Sequence, residues 1–205
     1  MTSHQAEAVL RARCWHVAWA AVNHHHASQR LDELTEVLTM VAQLEPEVIV
    51  EVGCDAGGTL YCWRTLFPSA LVVGVTLPDN SPPTGGQGYP LVDWGATVLV
   101  ADSHDPATAQ RVRDQVGDRP VDVLLVDGDH SYDGARLDWQ MYSPMVRPGG
   151  LVLLHDIATP GLGEVARFWR DVKTNGGFPE DNMREIISKR HRPAGFGVVV
   201  QTEKG

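Results

Sequence analysis

Two short polar segments contain most of the residues in this sequence that could do acid–base or metal chemistry. One reads DGDH from Asp127 to His130, and the other reads HD at His155 and Asp156. Each directly follows an apolar run of the kind that forms a buried strand. Carboxylates and imidazoles grouped in this way are unfavourable when buried unless they are paired or used. Such a group can bind a divalent cation, activate water or take a proton from a hydroxyl group.

A glycine-rich segment follows an earlier apolar run and reads EVGCDAGGT from Glu51 to Thr59. Glycine lets the backbone of such a strand-to-helix turn come close to a ligand. The spacing G-x-x-x-G-G differs from the dinucleotide fingerprint G-x-G-x-x-G, and no lysine follows as in phosphate-binding loops. The turn therefore indicates a ligand of another kind, and a purely structural turn that closes a βα unit is the alternative.

Strand-type and helix-type segments alternate along the chain from residue 46 onwards. The strand-type runs are Val48–Val50, Leu71–Val75, Thr97–Val100, Val121–Val126 and Leu151–Leu154, and the helix-type stretches are 58–67, 106–116, 133–146 and 161–173. This alternation predicts an α/β fold with a doubly wound, Rossmann-like and mainly parallel sheet. Two further runs, Glu185–Ser188 and Phe196–Gln201, are too close together for a crossover helix and predict a C-terminal antiparallel hairpin.

Residues 1–45 have apolar residues at helical spacing and predict an N-terminal helical appendage, followed by the main domain over residues 46–205. The stretch from Pro78 to Asp93 is rich in proline and glycine, so it predicts an irregular loop, either a lid or an ordinary surface loop. In an open parallel sheet, ligands bind at the carboxyl ends of the strands. We therefore expect the glycine-rich turn and both polar segments to meet at that edge.

The overall composition excludes several classes of protein. The chain has 205 residues, and 43% of them are hydrophobic, which disfavours disorder. Its formal net charge of −9 disfavours binding to a nucleic-acid backbone. Its three cysteines form no CxxC pair, so neither a disulfide framework nor a thiolate zinc site is indicated. The N-terminal segment lacks the pattern of a signal peptide or a membrane span. We expect a cytoplasmic protein with no membrane or nucleic-acid partner.

The glycine-rich turn is similar to motif I of the class I S-adenosylmethionine-dependent methyltransferases. The segments DGDHSYDG, RPGG and LHD, in this order, resemble the small-molecule O-methyltransferase branch that includes cephalosporin hydroxylase-like, macrocin and rhamnosyl O-methyltransferases. The resemblance extends over residues 30–200. It implies that the chain transfers a methyl group from S-adenosyl-L-methionine to a hydroxyl group of a sugar or another natural product.

The resemblance also implies which residues bind the cofactor. The turn would contact the methionine part of the cofactor, and Asp102 with Ser103 would bind the adenine. The loop that begins at Asp127 would border the same pocket. This chain has no acid at the usual ribose position, so Thr76 or Asp79 is the substitute. The complete predicted cofactor set is Glu51, Gly53, Cys54, Asp55, Gly57, Thr76, Asp102, Ser103, Asp127 and Gly128.

Members of that branch often bind a divalent cation, and the matching positions here are Asp127, His155 and Asp156. His155 departs from the usual acidic pair, which leaves Mg²⁺, Mn²⁺, another transition metal or no metal as alternatives. We expect His130 to be the general base, and Asp127 and Asp156 to bind the metal or orient the acceptor. His155 is a third ligand or an alternative base. The alternative for His130 and Asp127 is a purely structural hydrogen-bonding role in their loop.

Three other functions stay open from the sequence alone. They are a non-catalytic module that binds the same cofactor, an NAD-dependent oxidoreductase and a metal-dependent hydrolase. The partner expected in the leading interpretation is a small-molecule acceptor. A homo-oligomer formed through the N-terminal helices is also left open.

Overall fold

A computed structural model of the chain describes residues 3–78, 89–159, 161, 163–190 and 192–203. Its helices are α1 (Ser3–His24), α2 (Leu31–Leu44), α3 (Gly58–Leu66), α4 (Pro106–Val116), α5 (Tyr132–Tyr142) and α6 (Gly163–Asn175). Its strands are β1 (Val48–Val52), β2 (Leu71–Thr76), β3 (Thr97–Val100), β4 (Val121–Val126), β5 (Val146–His155), β6 (Met183–Ile186) and β7 (Phe196–Val200).

The strands form one sheet of seven in the order β3-β2-β1-β4-β5-β7-β6. The first five are parallel to one another, whereas β7 is antiparallel to β5 and to β6. The predicted doubly wound sheet with a C-terminal antiparallel hairpin is therefore confirmed. Val126 pairs with Val52 on one side and with Leu154 on the other. This register places the residues that follow β1, β4 and β5 next to one another.

Helices cover both faces of the sheet, as the uninterrupted burial of β1 and β4 requires. Apolar residues of α4, α5 and α6 share one cluster with one face of the sheet, and those of α1, α2 and α3 share a second cluster with the other face. Within the described residues, no helix is both long and apolar enough to cross a lipid bilayer.

The two N-terminal helices pack directly on the sheet domain, because Cys14 and Leu38 lie in the same cluster as Ile49 and Trp63. Glu33 of α2 is 1% exposed and reaches the connection between β6 and β7. Its carboxylate accepts hydrogen bonds from the backbone N–H groups of residues 188, 194 and 195. Charge-assisted bonds of this kind tie α2 firmly to the hairpin. The division of the chain at residue 45 stays a prediction.

Some predicted boundaries are wrong. The stretch 133–146 ends as an α-helix at Tyr142, because Pro144 has no N–H to continue the hydrogen-bond ladder and a short 3₁₀ turn follows. Strand β5 begins at Val146, before the predicted RPGG turn, which forms an irregularity in the pairing with β4. Strand β6 lies two residues earlier than the predicted run Glu185–Ser188. Most of the predicted loop between Pro78 and Asp93 lies outside the described residues.

Candidate active site

A cavity of about 830 Å³ lies at the carboxyl edge of the parallel strands. Cavities of this size hold cofactor-sized ligands. The predicted site residues that line it are Gly53, Cys54, Asp55, Thr76, Asp102, Ser103, Asp127, Gly128, His130, His155 and Asp156. The sheet register thus brings together side chains from the ends of β1 to β5. Asp79 lies outside the described residues, so only Thr76 of the two predicted ribose contacts has a described position.

Three of these side chains form a compact group at the ends of β4 and β5. His130 Nε2 lies 3.3 Å from Asp156 Oδ2 and 3.6 Å from Asp127 Oδ1. One ligand atom from each of the three residues lies within 4.8 Å of the other two, which is close enough to share one metal ion. Two carboxylates and one imidazole suit a divalent cation such as Mn²⁺, and they accept Mg²⁺ less readily than an all-oxygen set.

His155 contacts this group from the protein interior and is only 4% exposed. Its Nδ1 lies 2.9 Å from Asp127 Oδ1, so the ring donates a hydrogen bond to that carboxylate. Burial lowers the pKa of His155, but the charge and hydrogen bond of Asp127 outweigh burial and raise the pKa to about 9. His155 Nδ1 also lies 3.6 Å from Asp156 Oδ2, but the three ligand atoms that lie within 4.8 Å of one another belong to Asp127, His130 and Asp156. The predicted role of His155 as a metal ligand stays a prediction.

Asp127 and His130 have opposite pKa shifts. Burial raises the pKa of Asp127, but the positive charge of His155, followed by the interactions with both histidines, lowers it to about 2. The pKa of His130 is raised, first by its interaction with Asp127 and against the effect of burial. The His130 side chain is 41% exposed, so it is the member of the group that a ligand in the cavity can reach. Asp156 adopts a positive φ of 64°, which is unusual outside glycine.

The glycines after β1 are needed for close contacts between loops. A Cβ on Gly53, whose φ is +90°, would lie 2.0 Å from the carbonyl oxygen of Asp127. A Cβ on Gly57 would lie 2.1 Å from the Val92 carbonyl oxygen, and one on Gly58 would lie 2.4 Å from the Ala27 backbone nitrogen. Gly57 does not line the cavity, so its part in binding the cofactor stays a prediction.

Glu51 lies under the glycine-rich turn and not in the cavity wall. It is fully buried, and its carboxylate accepts hydrogen bonds from the Thr59 hydroxyl and from Trp63 Nε1. Burial raises the pKa of Glu51 to about 8, although both hydrogen bonds oppose that rise. This arrangement indicates that Glu51 holds α3 against β1. Its predicted contact with the cofactor stays a prediction.

The loop after β3 has a buried support that the sequence did not reveal. Asp102 Oδ1 accepts a hydrogen bond from the His104 backbone, and the Tyr142 hydroxyl donates to the Ser103 carbonyl. Asp138 of α5 is 0% exposed and lies 3.4 Å from His104 Nε2. Burial raises the pKa of Asp138 to about 6, while the Ser103 side chain and His104 oppose the rise.

The connection between α1 and α2 forms one wall of the cavity and was missed by the sequence analysis. Residues 26–30 line the cavity, and Gln29 Nε2 donates to Asp127 Oδ2 over 2.8 Å. The sequence between residues 24 and 30 has no motif or periodicity that indicates such a position. The contact joins residues 98 positions apart in the chain, so no local pattern could have revealed it.

The chain belongs to the methyltransferases of the family described as "Methyltransferase domain", whose model matches residues 50–157. The match covers more than half of the chain. It includes the glycine-rich turn, the loop after β3, and the residues after β4 and β5 that form the compact group. The predicted membership of the methyltransferases is therefore confirmed.

Proteins similar to this chain include two curated O-methyltransferases. Demethylmacrocin O-methyltransferase of Streptomyces fradiae is 30% identical over 52% of this chain and 25% of the relative. The 8-demethyl-8-alpha-L-rhamnosyl tetracenomycin-C 2'-O-methyltransferase of Streptomyces olivaceus is 30% identical over 54% of this chain and 29% of the relative. These names confirm the predicted resemblance to the macrocin and rhamnosyl branch. The matched parts are less than a third of either relative's length.

A solved structure of the MycE methyltransferase of mycinamycin biosynthesis, in complex with Mg and SAH, has a similar fold. It is 17% identical, covers 92% of this chain and 53% of the MycE chain, and superimposes with a TM-score of 0.61. This similarity confirms the predicted fold class.

Proposed function

We propose that this chain transfers a methyl group from S-adenosyl-L-methionine to a hydroxyl group of a small molecule. The observation that carries the proposal is the position of the Asp127, His130 and Asp156 side chains in the same cavity as the glycine-rich turn and Asp102. A cofactor site and a proton-accepting group are thus adjacent. The curated relatives named as sugar O-methyltransferases support a hydroxyl as the acceptor.

Methyl transfer needs little covalent help from the protein, because the sulfonium of the cofactor is already a good leaving group. The acceptor oxygen attacks the methyl carbon, the carbon–sulfur bond breaks, and its electron pair stays on sulfur to give S-adenosylhomocysteine. The hydroxyl proton must leave the oxygen. The protein therefore has two tasks, to align the hydroxyl with the methyl group and to accept that proton.

We assign the proton transfer to His130. Its Nε2 faces the two carboxylates, and its side chain is the most accessible of the group. The neutral imidazole takes the hydroxyl proton, and Asp127 with Asp156 stabilises the imidazolium that forms. His155 holds Asp127 in place through the 2.9 Å contact to Oδ1. Raising the pKa of a base towards the working pH favours such a transfer.

The same three side chains fit a divalent cation, and the related MycE structure holds Mg. When bound there, Mg²⁺ or Mn²⁺ would lower the pKa of an acceptor hydroxyl that it contacts. The chain's own contribution is to present Asp127 and Asp156 from the ends of neighbouring strands at a fixed distance. A titration of metal-stripped protein distinguishes a metal-assisted reaction from one that needs His130 alone.

The acceptor class follows from the relatives. Asp127 and Asp156 are paired with His155 and His130, so the group has no large net negative charge that would select an acceptor. The relatives' names point to a sugar unit attached to a natural product. The net charge of −9 supports the absence of a nucleic-acid partner. Assembly into a homo-oligomer and a cytoplasmic location stay predictions.

The first test is calorimetric titration of metal-stripped protein with S-adenosylhomocysteine, alone and with Mg²⁺ or Mn²⁺. We expect binding without metal, and a change in binding heat when the metal is present. Loss of binding under every condition would overturn the proposal and return the oxidoreductase and hydrolase alternatives. The second test incubates the protein with labelled S-adenosylmethionine and a panel of deoxysugar-bearing macrolides. Binding without turnover across that panel would support the non-catalytic module.

His130→Gln tests the assigned base. We expect its rate of methyl transfer to fall about 100-fold or more, with little change in the affinity for S-adenosylhomocysteine. His16→Gln is a matched control on the exposed side of α1 and should retain the native rate. Full activity of His130→Gln would show that another group takes the proton.

A further inference from the structure

Gln29 is a buried amide at the edge of the cavity, and its side chain donates a hydrogen bond to Asp127. The residue is 5% exposed, and its Nε2 donates to Asp127 Oδ2 over 2.8 Å. Among the described residues, no donor reaches its buried Oε1. A buried acceptor without a donor destabilises a protein by about 1–3 kcal/mol. Stability is therefore a poor reason for an amide at this position, and its contact with Asp127 offers a better one.

The backbone on both sides of Gln29 is fixed by contacts with other parts of the fold. Upstream, Ala27 lies against Gly58 so closely that a Cβ on Gly58 would lie 2.5 Å from the Ala27 Cα. Downstream, Arg30 Nε donates to the Arg192 carbonyl over 2.8 Å. The connection is thus held between α3 and the β6–β7 hairpin. These contacts on both sides place the Gln29 amide against the Asp127 carboxylate.

The contacts of Asp127 divide between its two oxygens. Oδ1 accepts from His155 Nδ1 at 2.9 Å and faces His130 Nε2 at 3.6 Å. Oδ2 is occupied by the Gln29 amide. A carboxylate that is held at both oxygens cannot rotate about its Cβ–Cγ bond without losing a hydrogen bond. Oδ1 therefore stays directed towards His130.

We propose that Gln29 is a positioning residue for Asp127. It occupies Oδ2, keeps Oδ1 directed at His130, and so makes the α1–α2 connection part of the active site. The consequence for methyl transfer rests on the proposed function. The positioning itself can be measured in the absence of turnover. Partners that orient a metal-binding or catalytic side chain commonly affect affinity or rate by about 10- to 100-fold when they are removed.

The test compares the native chain with Gln29→Met, which keeps the length of the side chain and removes the donor. The matched control is Gln110→Met, because Gln110 Nε2 donates to Asp114 Oδ1 over 2.9 Å at an exposed site. Metal-free, ¹⁵N-histidine-labelled protein is examined by NMR, and the Nδ1–H signal of His155 is assigned by its loss in His155→Leu. In Gln29→Met, we expect this signal to shift and its proton to exchange with water about tenfold faster, equivalent to about 1.4 kcal/mol.

Two further measurements separate positioning from a structural role. Gln29→Met should change the midpoint of thermal unfolding by less than about 4 °C. If the native chain binds Mn²⁺, the Mn²⁺ affinity of the variant should be about tenfold weaker. An unchanged His155 signal in Gln29→Met would overturn the proposal, whatever happens to the unfolding midpoint. Failure of the native chain to bind S-adenosylhomocysteine would overturn the proposed function instead, and the NMR comparison would still decide the role of Gln29.

Discussion

His155 Nδ1 lies 2.9 Å from Asp127 Oδ1, although the two residues are 28 positions apart in the chain. They meet because Val126 of β4 pairs with Leu154 of β5, and each polar residue is the direct successor of one of these partners. The sheet register therefore builds the centre of the site. The contact joins a buried imidazolium with a carboxylate, and breaking such a pair leaves one charge without its partner.

The first prediction concerns this pair. His155→Leu should destabilise the metal-free protein by about 3 kcal/mol at pH 7, because Asp127 loses its cationic neighbour. In the double variant with Asp127→Asn, the loss of unfolding free energy should be about 1–2 kcal/mol smaller than the sum of the losses in the two single variants. Urea unfolding of all four proteins measures this coupling. Additive effects would contradict a direct interaction between the two side chains.

The second prediction concerns the pH dependence that arises from Glu51. Its pKa is raised from 4.5 to about 8, so its contribution to stability is complete below pH 4.5 and is lost as the pH rises to 8. Glu51→Gln cannot ionise, so between pH 4.5 and 8 the native chain should lose about 4 kcal/mol more stability than the variant. Denaturant unfolding between pH 4.5 and 8 measures the difference. Glu7→Gln, on the exposed side of α1, is the control. Parallel pH profiles for Glu51→Gln and the native chain would contradict the burial argument.

The third prediction concerns the close approach of two backbone segments at Gly58. A Cβ at this position would lie 2.4–2.7 Å from atoms of Ala27, so Gly58→Ala should displace the connection between α1 and α2. We expect a loss of stability of about 1–3 kcal/mol and weaker binding of S-adenosylhomocysteine. Thermal unfolding and calorimetry measure both effects. Gly163→Ala is the matched control, since nothing lies within 4 Å of a Cβ there. Native behaviour of Gly58→Ala would show that the connection can move without consequence.

The fourth prediction concerns Asp138, the buried support of the loop after β3. Asp138→Asn keeps the shape of the side chain and removes the charge that faces His104 Nε2 at 3.4 Å. We expect the affinity for S-adenosylhomocysteine to fall about tenfold, because Ser103 and His104 lose part of their support. Asp133→Asn is a control on the exposed face of the same helix. Equal affinities of the two variants in calorimetry would contradict the supporting role.

Much of the fold was predictable because it depends on local patterns. Apolar runs such as Val48–Val50 and Val121–Val126 are long enough for buried strands, and the helix-type segments between them require parallel strands with crossovers. Parallel strands align their carboxyl ends, so the meeting of the glycine-rich turn with both polar segments followed from the order of the elements alone. The boundaries near Pro144 and Gly149 were less accurate, because a turn and an irregular strand have similar compositions.

Motifs and the order of the elements were enough to predict the class of the protein and the edge of the sheet that carries the site. They were also enough to predict that Asp127, His130, His155 and Asp156 meet there. The contacts among these four residues needed the folded structure, because distances of 3–4 Å depend on loop packing and not on spacing along the chain. The folded structure also revealed Gln29 and Asp138. Their contacts join distant parts of the chain through buried polar groups. Neither hydrophobic periodicity nor a sequence motif predicts which loop will cover a cavity.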